Sequence, residues 1–77
     1  MMPLILAEAG ALHTVGKIGG ETKVRKHLEN LGFNVGASVR IISKFQGNVI
    51  VAVKDTRVAI SEEMARYILV IPRTEAQ

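Results

Sequence analysis

Short segments of alternating apolar and polar residues run along this chain, broken at close intervals by Gly, Asn and Asp. Such spacing predicts short strands joined by tight turns, as in a small barrel or sandwich. Pro3-Leu4-Ile5-Leu6 opens as an extended piece, and Ala9-Gly10 turns the chain. His13 to Ile18 reads as a strand in which Gly16 marks a bulge or a close backbone approach. Val39, Ile41 and Ser43 alternate with Arg40, Ile42 and Lys44 in the next strand, and Gln46-Gly47-Asn48 closes a hairpin. Val49 to Val53 is apolar on both faces, the pattern of a central strand. Asp55-Thr56 turns into Arg57-Val58-Ala59-Ile60, and Tyr67 to Ile71 forms a last strand ended by Pro72. Between them Ser61 caps a single helical turn, with Glu62 and Glu63 where the helix dipole favours acids.

One stretch has helical periodicity instead. Lys23 to Leu31 carries Val24, Leu28 and Leu31 at i, i+4 and i+7, a single face directed at a core. Thr22 is a suitable N-cap, and Gly32 stands where a left-handed residue ends a helix. Lys23, Lys26, His27 and Asn30 share another, exposed stripe, while Arg25 and Glu29 form an i, i+4 pair on the remaining side. Combining the periods gives a predicted core of Val15, Val24, Leu28, Leu31, Val39, Ile41, Val51, Val58 and Leu69. Gly20, Gly32, Gly36 and Gly47 fall at breaks between elements and are expected to serve the backbone.

The pattern therefore predicts a mainly β fold: about five short strands, one inserted α-helix, and a short helical turn before the last strand. Strands this short leave sheet edges open, and closure into a small SH3-like barrel removes them; an OB-type barrel is the alternative topology. With 77 residues the chain is expected to hold one domain, residues 1–77, with an ordered core over about 4–72 and a loose tail at 73–77. The apolar share of 48% supports a core, and there is no Cys. That absence, together with the lack of a basic segment ahead of an apolar one at the start and of any long apolar run, leads us to expect a cytoplasmic protein.

Net charge is +3, a modest excess that favours an acidic partner surface without requiring nucleic acid. Three aromatic side chains, Phe33, Phe45 and Tyr67, are few for a stacking platform, so no nucleic acid is expected as partner; a small basic nucleic-acid-binding barrel stands as the alternative. Catalysis lacks its constellation: no Cys, no nucleophile spaced to meet His13 or His27, and the adjacent Glu62 and Glu63 at a cap. Val15-Gly16-Lys17-Ile18-Gly19-Gly20 lacks the order of a phosphate-binding loop. His13, His27, Asp55, Glu62 and Glu63 show no metal-ligand spacing, so neither a metal site nor a cofactor is predicted, and weak divalent-metal sensing is kept as a further alternative. One local rule is broken. Lys23, Arg25 and Lys26 occupy the first turn of the helix, where the dipole disfavours cations. Together with His27 they form the candidate partner-binding surface.

Gly19-Gly20, then the basic helix ending Leu28-Glu29-Asn30-Leu31-Gly32-Phe33, then Val35-Gly36-Ala37-Ser38-Val39, resembles the FeoA family. Val49 to Val53, Arg57-Val58-Ala59-Ile60-Ser61 and Ala65 to Val70 continue the likeness, which covers about Leu4 to Pro72. Val35 stands where that family often has Pro, and Ile60 where a basic residue often follows the Ala. The resemblance implies an SH3-like barrel, the domain also found at the C-terminus of iron-dependent repressors of the DtxR type. It implies a non-enzymatic cytosolic accessory to bacterial ferrous iron uptake, acting by protein–protein binding to the cytosolic domain of a FeoB-type iron permease and reaching the membrane only through that partner. It also implies metal binding, for which the sequence offers no ligand set.

Overall fold

The computed structural model describes residues 1–73. Its strands are β1 (Met2–Pro3), β2 (Leu12–Ile18), β3 (Ser38–Phe45), β4 (Asn48–Val53), β5 (Thr56–Ser61) and β6 (Ile68–Pro72); its helices are α1 (Thr22–Asn30) and α2 (Glu62–Ala65). All strands pair antiparallel in one sheet of order β1-β6-β2-β3-β4-β5. The two end strands are joined by no ladder among the described residues; α2 packs on β4, β5 and the 3-10 turn that follows β1, and so closes the gap. Mainly β with one helix and a short helical turn is the architecture the alternation predicts.

The sixth strand is the first difference. Leu4–Leu6, expected to be extended, forms a 3-10 turn, with Ala7 N–H donating to the Leu4 carbonyl at 2.9 Å. Only the residues before it pair, Met2 with Val70 and Pro3 with Leu69. In the turn Leu4 is completely buried while Leu6 is exposed, two residues that an extended strand would place on the same face.

Gly16 sits at a register shift between Val15 and Lys17, where β2 pairs with β6. A Cβ there would lie 2.7 Å from Met1 Sδ and 3.2 Å from Ile71 Cδ1, so the bulge lets the β2 backbone approach these chains closely. Both hairpins use two-residue turns with positive φ at both positions, Gln46-Gly47 (48° and 79°) and Lys54-Asp55 (50° and 63°). This is the type I′ geometry whose twist matches the strands. The second turn is thus one residue earlier than Asp55-Thr56, because Thr56 already pairs with Val53.

The core comprises Leu4, Val15, Ile18, Leu28, Phe33, Val39, Ile41, Val49, Val51, Val53, Ile60, Ala65, Ile68 and Val70, with Ala7. Of the predicted core, Val15, Leu28, Val39, Ile41 and Val51 are buried, whereas Val24, Leu31 and Val58 are only half-buried against it. Leu69 is half-buried and its neighbours Ile68 and Val70 take the interior. The cause is pairing: Ile68 lies opposite Ile18 and Val70 opposite Val15, both inward positions of β2. Arg73, placed by the sequence in a loose tail, donates its N–H to the Leu12 carbonyl at 3.1 Å and its guanidinium to Ser38 Oγ. The remaining tail positions lie outside the described residues.

Candidate interaction surface

Helix α1 is held at both ends. Gly19 N–H donates to the Tyr67 carbonyl at 2.7 Å, and at Gly20 (φ 88°) an added Cβ would stand 3.1 Å from the Tyr67 ring. The N-cap is Glu21, not Thr22, and no side chain caps the helix; Thr22 is already its first residue. A Glu in the cap position lacks the short reach of Ser, Thr or Asp to the first free N–H groups, so its contribution is the charge alone. The C-terminus is a Schellman motif: Phe33 N–H donates to the Leu28 carbonyl and Gly32 N–H to the Glu29 carbonyl, each at 3.0 Å, with Gly32 at φ 109°. Phe33 then packs back, fully buried. Gly36 (φ 94°) and Gly47 (φ 79°) also adopt conformations with positive φ.

On this fixed helix Lys23, Arg25, Lys26 and His27 are all exposed. Their first turn contains no acid. Among the described residues Arg25 and Glu29 form no ion pair, and none of the four basic groups makes a side-chain hydrogen bond. At about 100° per residue, Lys23, Lys26 and His27 span one stripe, while Arg25 lies about 200° round from Lys23. The structure thus brings three of the four candidates to one side and sets Arg25 on the other. A hollow of about 400 Å³ opens at the helix start beside Glu21, Thr22 and Lys23. Such an arrangement can offer long, solvated cations to an acidic surface.

His13 is the residue sequence reasoning undervalued. Read as the first residue of a strand, it is 4% exposed and the one buried polar residue among the described residues. Its Nδ1 lies 3.2 Å from the Ala11 carbonyl; since a carbonyl only accepts, Nδ1 carries the proton. The ring lines a hollow of about 350 Å³ shared with Met2, Leu6, Glu8, Leu12 and Arg73. The signal was present in the parity of His13 and Val15, two residues apart and hence on one face of β2. Among the described residues no three His, Cys, Asp or Glu side chains come together in a way that could hold a metal ion, so the residues present do not fit a metal site. No helix of the structure is long and apolar enough to cross a membrane.

Comparison with known proteins adds a family to this geometry. The model of the FeoA domain matches residues 2–72. A curated protein of Methanocaldococcus jannaschii named a putative Fe(2+) transport protein A is 31% identical over 70 residues, covering 91% of this chain and 85% of that protein. A crystal structure of an iron uptake regulatory protein, FeoA, superposes with a TM-score of 0.84 at 27% identity, covering 91% of this chain and 93% of the other. FeoA of Stenotrophomonas maltophilia, solved with zinc and described as a prokaryotic SH3 domain protein, gives a TM-score of 0.80 at 23% identity, covering 92% and 91%. The fold is thus SH3-like, the first of the two barrels the alternation allows.

Proposed function

We propose a function from one premise: this chain belongs to the FeoA family. That family membership makes it an accessory protein of ferrous iron transport. Its action, in this reading, is to bind the cytosolic domain of a FeoB-type iron permease from the cytoplasmic side, without chemistry of its own. The observation that carries the reading is the exposed stripe of Lys23, Lys26 and His27 on α1. Lys23 and Lys26 stand toward the start of a helix whose dipole opposes cations there, with His27 beside them, and among the described residues they pair with no carboxylate. Such groups raise association rates with acidic partners and make them salt-sensitive.

The test is affinity purification from the native cell with this protein as bait, followed by reconstitution with the purified permease domain. Enrichment of the permease, and its retention after nuclease treatment, is the expected result. Recovery of nucleic acid with a steep salt dependence, and no binding to the purified permease domain, would replace the proposal with the nucleic-acid reading.

A further inference from the structure

The two edges of the sheet are unequal. β1 offers two paired residues before the chain leaves in a 3-10 turn, which blunts that edge. β5 is six residues long and pairs with β4 from Thr56–Val53 to Ser61–Asn48 with no bulge and no proline. In a two-residue hairpin the residues flanking the turn exchange both backbone bonds, so Thr56, Val58 and Ile60 bond inward to β4. Arg57, Ala59 and Ser61 therefore direct their N–H groups outward, and no described backbone group outside the β4 ladder hydrogen-bonds to the backbone of Arg57 or Ala59. Their side chains share the outer face of the sheet with Ala52 and Ile50, their partners on β4.

The charges along this edge are polarised. Arg57 is exposed near its start, and Glu62 and Glu63 follow immediately beyond its end in α2. A strand that is cationic at one end and anionic at the other complements an antiparallel copy of itself. A two-fold axis through Ala59 places Arg57 opposite the other copy's Ser61, beside the other copy's acidic pair. An axis through Arg57 would set like charges against each other, which is unfavourable. At the chosen axis the side chain is a methyl group, and Ile50 of each copy flanks it, so an apolar strip continues across the join.

We propose that this protein self-associates through β5, two copies pairing antiparallel about Ala59 to form a continuous sheet. The interface is isologous, as a two-fold dimer requires. It lies on strand backbone and leaves the exposed stripe of α1 outside the pairing.

Sedimentation equilibrium on the full chain over a range of concentrations tests this, with circular dichroism as a control on folding. The wild-type protein is expected to show a reversible monomer–dimer equilibrium. Ala59→Pro removes an outward N–H that the intramolecular ladder does not use, and should weaken dimerisation at least tenfold with the spectrum unchanged. Arg57→Glu should weaken it as well, and adding Glu63→Arg to Arg57→Glu should restore it. That rescue keeps the test decisive if the proline variant fails to fold. A wild-type protein that stays monomeric at every concentration, or a dimer indifferent to both Ala59→Pro and Arg57→Glu, would overturn the proposal.

Discussion

Leu28 is the residue on which α1 depends. It is fully buried, whereas Val24 and Leu31 on the same face are half-buried. Truncating Leu28 to Ala should lower stability by about 2–5 kcal/mol through lost transfer energy and a cavity, and Val24→Ala should cost clearly less. Urea titrations of the two variants measure the difference; equal effects would mean that the helix is rotated from the described register. Gly32 carries a different demand. At φ 109° its Cβ would find van der Waals distance to Val53 (3.6 Å) and Lys54 (3.7 Å), so space is available and only the backbone objects. Gly32→Val should therefore destabilise the Schellman end while leaving the surface unchanged, with fraying visible as faster amide exchange at Leu31 to Phe33. The sequence shows both residues at once, because Gly32 and the i, i+4 spacing of Val24 and Leu28 are local signals. It shows His13 only through its parity with Val15, two residues further along β2, a signal carried by a single pair.

At the scale of elements the two type I′ hairpins differ in how well their residues suit them. Gln46-Gly47 places Gly at the second positive-φ position, but Lys54-Asp55 places two side-chain-bearing residues there. Replacing Lys54-Asp55 by Asn-Gly should stabilise the β4–β5 hairpin by about 1 kcal/mol, because left-handed φ costs ordinary residues roughly that much each. A rise of several degrees in melting temperature is the expected readout, and a fall would show that the Lys54 stem over Gly32 matters more than the strain. Elements were legible where the pattern alternates. β3 shows it, with Val39 and Ile41 buried and Ser38 and Arg40 half-buried between them. β6 was legible only as a strand: Tyr67 to Ile71 is an unbroken apolar run, paired on both sides, and its register comes from β2 and not from its own period. The 3-10 turn was hidden for a related reason. Leu4-Ile5-Leu6 has no period at all, and its helical turn is chosen by the cavity that Leu4 fills.

For the whole molecule, the small size leaves a thin margin, and every strand must be covered or short. The chain meets this with a curled sheet whose core takes in Leu28 of α1 and with α2 across the gap between its ends, and it leaves the outer backbone of β5 unpaired among the described residues. The proposed partner surface follows from what that arrangement leaves over. The basic stripe of α1 faces outward on a helix pinned at Gly20 and Gly32, so its cations are held in place without being used by the fold. Its existence could be read from charge placement alone, but not the separation of Arg25 from the other three into opposite sides of a helix with no Glu29 ion pair. Lys23→Glu with Lys26→Glu should leave the fold intact, and improve the helix by a few tenths of a kcal/mol, since acids replace cations in its first turns. The most direct measurement of the central claim uses the same variant. Association of the wild-type and double-mutant proteins with the purified cytosolic domain of the permease is followed by stopped flow at low and high salt. The account predicts a wild-type rate that falls steeply with salt, and a double-mutant rate that is slower at low salt and nearly flat. Equal rates and equal salt dependence for the two proteins would contradict it.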